Sequence, residues 1–140
     1  MSLAVRPFTE ADRATVVELW QRCDLTRPWN DPDRDIDRKL ARDGELLLVG
    51  TVDDTVVATV MAGYDGHRGW VNYLAVDPDR RGEGHGAAIM RAAEERLVAL
   101  GCPKINLQIR TSNLDAVRFY ESLGYSLDDV VSMGRRLIDD

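Results

Sequence analysis

The stretch "DPDRRGEGHG", residues 77–86, decides how the rest of the chain is read. Three glycines at alternate positions, 82, 84 and 86, leave the backbone bare, and Arg80 and Arg81 stand just before them. A β-branched and aromatic run, "WVNYLAV" (70–76), precedes the loop. A long segment with helical period follows, keeping Ile89, Ala93, Leu97 and Leu100 on one face and closing at Gly101. A glycine loop between strand and helix can aim consecutive amides inward, and the first turn of the helix adds about +0.5 of an elementary charge. That combination favours a phosphate or pyrophosphate. A glycine-rich turn with no ligand is the competing reading, since short glycine patterns alone are weak.

Outward from the loop, the chain reads as a mixed α/β fold. "LAVRPF" is a short strand, and "TEADRATVVELWQRC" is a helix with Thr9 as cap and Asp12 closing a capping box. "DLTRPWNDPDRD" breaks the pattern at Pro28 and Pro32, and "DIDRKLAR" forms a short helix ending before Gly44. "ELLLVGTV" and "TVVATVMAGY" flank the Asp53-Asp54 turn as a hairpin, and "WVNYLAV" is a third antiparallel strand. "KINLQIR" alternates as a half-buried strand, with Ile105, Leu107 and Ile109 on one face. The long helix before it makes it run parallel to "WVNYLAV" through a crossover. "SNLDAVRFYESLG" is a last helix, capped by Ser112 or Asn113 and stopped by Gly124, and "VVSMGRRL" is a final strand. The expected order is β-α-α-β-β-β-α-β-α-β, a mostly antiparallel sheet with one parallel pair and helices on both sides.

Bulk properties narrow the function. A chain of 140 residues is read as one domain, 1–140. Its 44% hydrophobic and 30% charged content is that of a globular protein. No apolar run reaches the ~18 residues of a membrane span. The opening "MSLAVRPFTEADR" lacks a signal-peptide pattern, so a cytoplasmic protein with no membrane partner is expected. A net charge of −6 argues against a broad nucleic-acid surface. Two cysteines, Cys23 and Cys102, and two histidines, His67 and His85, leave almost no material for a metal site.

Two phosphate-binding patterns compete for the loop. Gly82, Gly84 and Ala87 satisfy a relaxed G-x-G-x-x-G/A dinucleotide fingerprint. Yet five residues separate Val76 from the first glycine, and the following strand ends in Arg110 rather than an acid. The antiparallel hairpin upstream is also foreign to that fold. The other pattern is R-x-x-G-x-G through Arg81, Gly84 and Gly86, after a strand and a "DP" turn. With "SNLDAVRFYESLGY" downstream, carrying Asn113, Phe119, Tyr120, Gly124 and Tyr125, it resembles the GNAT acetyltransferase superfamily over nearly the whole chain. The pieces "LTRPWNDP", "MAGYDGHRG" and "GCPKI" further resemble a bacterial subfamily called YpeA-like.

The resemblance implies an N-acetyltransferase that uses acetyl-coenzyme A, with no metal, and an amine acceptor that is a small molecule or a protein lysine. It puts Leu74, Ala75 and Val76 along the pantetheine arm, and the residues Arg81, Gly82, Glu83, Gly84, His85, Gly86 and Ala87 around the pyrophosphate, with Asn113 beside the cofactor. An amide near Ala75 or Val76 would polarise the thioester carbonyl. Tyr120 would be the acid for the departing thiolate. Trp29 and Asn72 are candidate acceptor-side residues, and the acids 24, 31, 33 and 35 would favour a cationic acceptor or serve as caps.

Some relatives that acetylate protein N-termini carry a glutamate where this chain has Gln108, which cannot be a base. Asp65, His67 and a water held by Asn72 or Tyr73 are the alternatives. A non-catalytic acyl-coenzyme-A-binding regulatory module is the rival. An exposed C-terminal edge strand would permit a homodimer.

Overall fold

The computed structural model describes residues 2–140. Its contacts divide into two units, one running to Leu107 and including Asp140, the other covering residues 108–139.

The larger unit carries a five-stranded sheet in the order β1-β2-β3-β4-β5. The strands are β1 (Ala4–Pro7), β2 (Leu47–Val52), β3 (Thr55–Tyr64), β4 (Gly69–Val76) and β5 (Ile105–Leu107). The first four pair antiparallel, and β4 pairs with β5 in parallel, as the intervening helix requires. Between them run helices α1 (Arg13–Arg22), α2 (Pro32–Asp43) and α3 (His85–Ala99).

Strand alternation sorts the apolar side chains onto two faces. Leu47 and Val49 join Phe8, Val16, Leu19, Trp20, Ile36 and Ala75 in one buried cluster, which α1 and α2 cover. The alternate residue Leu48, with Val60 and Ala62, is buried as well, and α3 lies along β2, β3 and β4 with Ile89, Met90, Ala93 and Leu97 inside. The helices therefore sit on both faces.

The 3-10 turn Glu10–Asp12 that leads into α1 follows from its sequence. Thr9 N donates to Asp12 Oδ2 at 2.8 Å, and Arg6 grips the same carboxylate at 2.7 and 2.9 Å. Pro32 is not a break. It opens α2 as the first helical residue, behind Asp31 as cap, because a proline there loses no helical hydrogen bond.

Two expectations change. The strand expected over 104–110 ends at Leu107, since its partner β4 leaves regular pairing just beyond Val71. Residues 126–139 form no strand, so "VVSMGRRL" has no ladder, and Val130, Val131 and Met133 are 77%, 88% and 92% exposed. The edge strand that would have supported a homodimer is thus absent among the described residues. In this smaller unit α4 (Leu114–Ser122) forms as expected, with Asn113 as cap.

Candidate active site

The loop after β4 is anchored before it turns. Asp77 N donates to Val57 O at 2.7 Å, and the Asp77 carboxylate accepts from Asp79 N and from Arg22 Nη2, each at 2.9 Å. These contacts, the Asp79 amide first, hold the Asp77 carboxyl below the usual range. The "DP" turn is thereby fixed to α1.

Beyond it Arg81, Gly82, Glu83 and Gly84 are exposed, while His85 and Gly86 are buried. Gly82 and Gly84 have φ of 81° and 85°, the left-handed region that costs other residues about 1–2 kcal/mol. A Cβ at either would meet nothing within 4 Å. The glycines are required by conformation, and the space beside both is open.

Gly84 is the N-cap of α3, and no side chain caps it. The first helical bond is Ala88 N to Gly84 O at 3.1 Å, so the amides of His85, Gly86 and Ala87 lack helical acceptors. The first turn contains no acid. Glu83, the one carboxylate in the bare stretch, has its Oε1 3.0 Å from His85 Nε2, so it is paired with the His85 ring. Arg80 Nη1 lies 3.9 Å from the same oxygen. His85 thus does more than offer its amide, and the Glu-x-His spacing was the signal for it.

Of the strand residues, Ala75 is 3% exposed and Leu74 and Val76 are half-buried. The Cys23 thiol donates to Val76 O at 3.3 Å. Regular pairing of β4 with β5 covers only Gly69–Val71. In the ladder with β3, Met61 faces Asn72 and Thr59 faces Ala75, so β4 carries one extra residue. Tyr73 sits in that bulge with φ 52°. Sequence reasoning does not reach this feature, since nothing in "VNYLA" marks a left-handed tyrosine.

Asn72 is exposed on β4 and Trp29 is 50% exposed, so Trp29 does not close the core. The acids of the α1–α2 link and of the first turn of α2 are committed to local partners. Asp31 caps α2, Asp33 pairs with Arg13, Asp24 with Arg27, and Asp35 with Arg38 and the Tyr73 phenol. They serve as caps and ion pairs. Tyr73 OH is likewise spent on Asp35 rather than on a water. Asp65 accepts from the amides of Arg68 and His67 at 2.7 Å each. These bonds push its pKa down, so it is a poor proton acceptor, and His67 is an exposed turn residue.

In the smaller unit Asn113 Oδ1 accepts from Ala116 N at 3.1 Å, which commits the carbonyl end of its amide to the cap. Tyr120 is buried, edge-on to Phe119 and Tyr125 at 5.1 and 5.7 Å between ring centres. Burial pushes its pKa up to about 12. Gln108 is exposed and its amide nitrogen donates to Ser132 Oγ.

Comparison with known proteins follows the same line. Residues 14–125 match the acetyltransferase (GNAT) family. A protein named acetyltransferase from Yersinia pestis (strain Pestoides F) is 48% identical over 138 residues, covering 99% of this chain and 98% of that one. The crystal structure of Ard1 from Thermoplasma volcanium superposes with a TM-score of 0.78 at 26% identity, over 91% of this chain and 85% of that one. An aminoglycoside antibiotic 6'-N-acetyltransferase from Acinetobacter haemolyticus shares the fold with a TM-score of 0.77 at 21% identity, over 97% and 99% of the two chains. With the glycine loop, the bulged strand and the mixed sheet in the same chain, these matches lead to one conclusion: the protein belongs to the GNAT acetyltransferase family.

Proposed function

We propose that residues 1–140 act as a single domain that transfers the acetyl group of acetyl-coenzyme A to a primary amine, by direct attack on the thioester. The acceptor is a small amine or a protein lysine, the site is cytoplasmic, and the chain falls in the YpeA-like subfamily. One observation carries the reading. The N-terminus of α3 has no side-chain cap and no acid in its first turn, and it lies behind two open left-handed glycines. An end left in that state is suited to an anion supplied from outside.

In this reading the amides from Gly82 to Ala87 hold the pyrophosphate, with Arg81 adding full charge. The main chain of Leu74, Ala75 and Val76 receives the pantetheine arm, and an amide at Ala75 or Val76 polarises the carbonyl. Asn113 borders the cofactor, and Trp29 and Asn72 border the acceptor. The loop then needs Glu83 kept off the phosphates, and the His85 ring supplies that restraint.

Tyr120 assists the departing thiolate. A phenol at about 12 is protonated at neutral pH. A full proton transfer to a thiolate of pKa ~8.5 would run uphill by about 5 kcal/mol. The phenol therefore donates a hydrogen bond into the developing charge, and solvent completes the protonation. Replacing Tyr120 with Phe is expected to lower kcat by about 100-fold and leave coenzyme binding intact. Unchanged kcat on an accepted amine removes Tyr120 from the mechanism.

Thermal melts with coenzyme A, acetyl-coenzyme A and NADH test the cofactor first. A site at ~100 times its Kd adds about 2.7 kcal/mol, or roughly 5–11 °C at this chain length. Shifts with both coenzyme A forms and none with NADH support the reading. No shift with either form ends it. Tight binding without thiol release across a broad amine panel favours a regulatory acyl-coenzyme-A-binding module instead, in keeping with Gln108 and the committed Asp65.

A further inference from the structure

We propose that Asp35, acting through the phenol of Tyr73, is a positioning residue that holds β4 in the shape needed to receive the thioester. The inference deepens the proposed function and rests on its assignment of Leu74–Val76 to the pantetheine arm and thioester.

Tyr73 is the peptide immediately before that stretch, and its φ of 52° is one an aromatic residue does not adopt unaided. Its consequence is a change of face. A Cβ at Gly69 would meet Leu97 of α3 at 3.2 Å. Ala75 is six residues on, so plain alternation would place it on the same face. Instead Ala75 packs in the cluster of Val16, Leu19 and Trp20, under α1. The bulge at Tyr73 turns the strand over, and with it the direction in which the Leu74–Val76 amides and carbonyls point.

Three restraints hold the strained residue. Its ring stacks on Trp20, with centres 3.8 Å apart and planes 13° from parallel. Its carbonyl accepts from Thr59 Oγ1 at 2.9 Å, and Thr59 Oγ1 accepts in turn from Trp20 Nε1 at 2.9 Å. Its phenol donates to Asp35 Oδ2 at 2.7 Å. The first two come from the buried core. The third comes from the first turn of α2, outside the sheet.

Asp35 is itself fixed. Its Oδ1 accepts from Arg38 at 2.9 Å, Arg38 bonds Asp140 at 2.8 Å, and Asp140 accepts from Asp31 N at 3.0 Å. The start of α2 is therefore a braced post, and the Asp35–Tyr73 bond ties the bulge to it. Both oxygens of this carboxylate take part in the brace, Oδ1 toward Arg38 and Oδ2 toward the Tyr73 phenol.

The test uses infrared difference spectra of acetyl-coenzyme A labelled with 13C at the thioester carbonyl, bound to the full chain. It needs no acceptor. Wild type is expected to shift the carbonyl band to lower frequency than in water. Tyr73→Phe and Asp35→Ala should lose most of that shift, while Asp35→Asn, which retains an acceptor for the phenol, should keep it. The affinity for coenzyme A, which lacks the carbonyl, should be unchanged in all three. Tyr73→Phe removes a single oxygen and guards against an unfolded alanine variant. A shift retained in Tyr73→Phe overturns the inference, as does coenzyme A affinity falling in step with the shift or an asparagine that behaves like alanine. Wild type that binds acetyl-coenzyme A without any shift overturns it alone. Wild type that binds neither coenzyme overturns the proposed function, and this inference with it.

Discussion

The N-termini of α2 and α3 are opposite solutions to one problem. Both present amides without helical acceptors and the positive end of a helix dipole. At α2 the chain answers from within. Asp31 accepts from Asp33 N at 2.9 Å and Arg34 N at 3.4 Å, Pro32 removes one amide, and Asp33 and Asp35 place acids in the first turn. At α3 the cap is a left-handed glycine, no side chain answers, and no acid lies in the first turn. A capping residue there would add about 1 kcal/mol of stability. The nearest carboxylate, Glu83, is bonded to His85 instead. The same physics that closes α2 is withheld at α3, and the withheld charge is what the proposed pyrophosphate supplies.

Making the two ends alike is the sharpest way to break this comparison. Asp is among the few residues that tolerate a left-handed φ, and its carboxylate at position 84 can cap the bare amides. Gly84→Asp is therefore expected to fold, with the left-handed strain of about 1–2 kcal/mol lowering its melting temperature by a few degrees. A unit charge about 4 Å from a phosphate costs several kcal/mol at an effective dielectric near 20. Coenzyme A affinity, measured by titration calorimetry, should fall by at least about 100-fold. Wild-type affinity in this variant would remove the pyrophosphate from α3.

Stripping the cap from α2 sharpens the contrast from the other side. Asp31→Ala should cost about 1 kcal/mol, or roughly 2–4 °C in melting temperature. Coenzyme A affinity should not change, because α2 answers its own amides and lends none to a ligand. A loss of affinity matching the loss of stability would mean that the two helix ends are not independent.

How much of this was legible depends on whether the signal was local. The glycine spacing marked the open loop, and the β-branched runs marked β3 and β4 almost to the residue. The Asn113 cap was likewise written in the residues beside it. Pro32 was legible as punctuation but not as a beginning, because proline both ends and opens helices and only Asp31 decides between them. Tyr73 was not legible at all. Its conformation is imposed by Trp20, Thr59 and Asp35, which lie far from it in sequence, against its own preference. The β4–β5 ladder also stops at Val71, short of the bulge, whereas the β3–β4 ladder resumes beyond it at Ala75. "VVSMGRRL" had the composition of a strand, but composition does not supply a partner.

The smallest effect expected lies in the brace behind α2, and its sign separates structure from binding. Asp140, its side chain 3% exposed, has its pKa lowered to about 2 by Arg38 first and the Asp31 amide second. In the unfolded chain an aspartate titrates near ~3.9. Between those values the unfolded state binds more protons, so stability rises with pH there. The contribution is fully present above about pH 4 and is lost as pH falls through about 2. Asp140→Asn should melt below wild type at pH 7, and the gap should close between pH 4 and pH 2, as the other carboxylates titrate equally in both proteins. If the gap stays constant across that range, the ionised form of Asp140 does not brace α2, and the post that steadies Tyr73 rests on Asp35 and Arg38 alone.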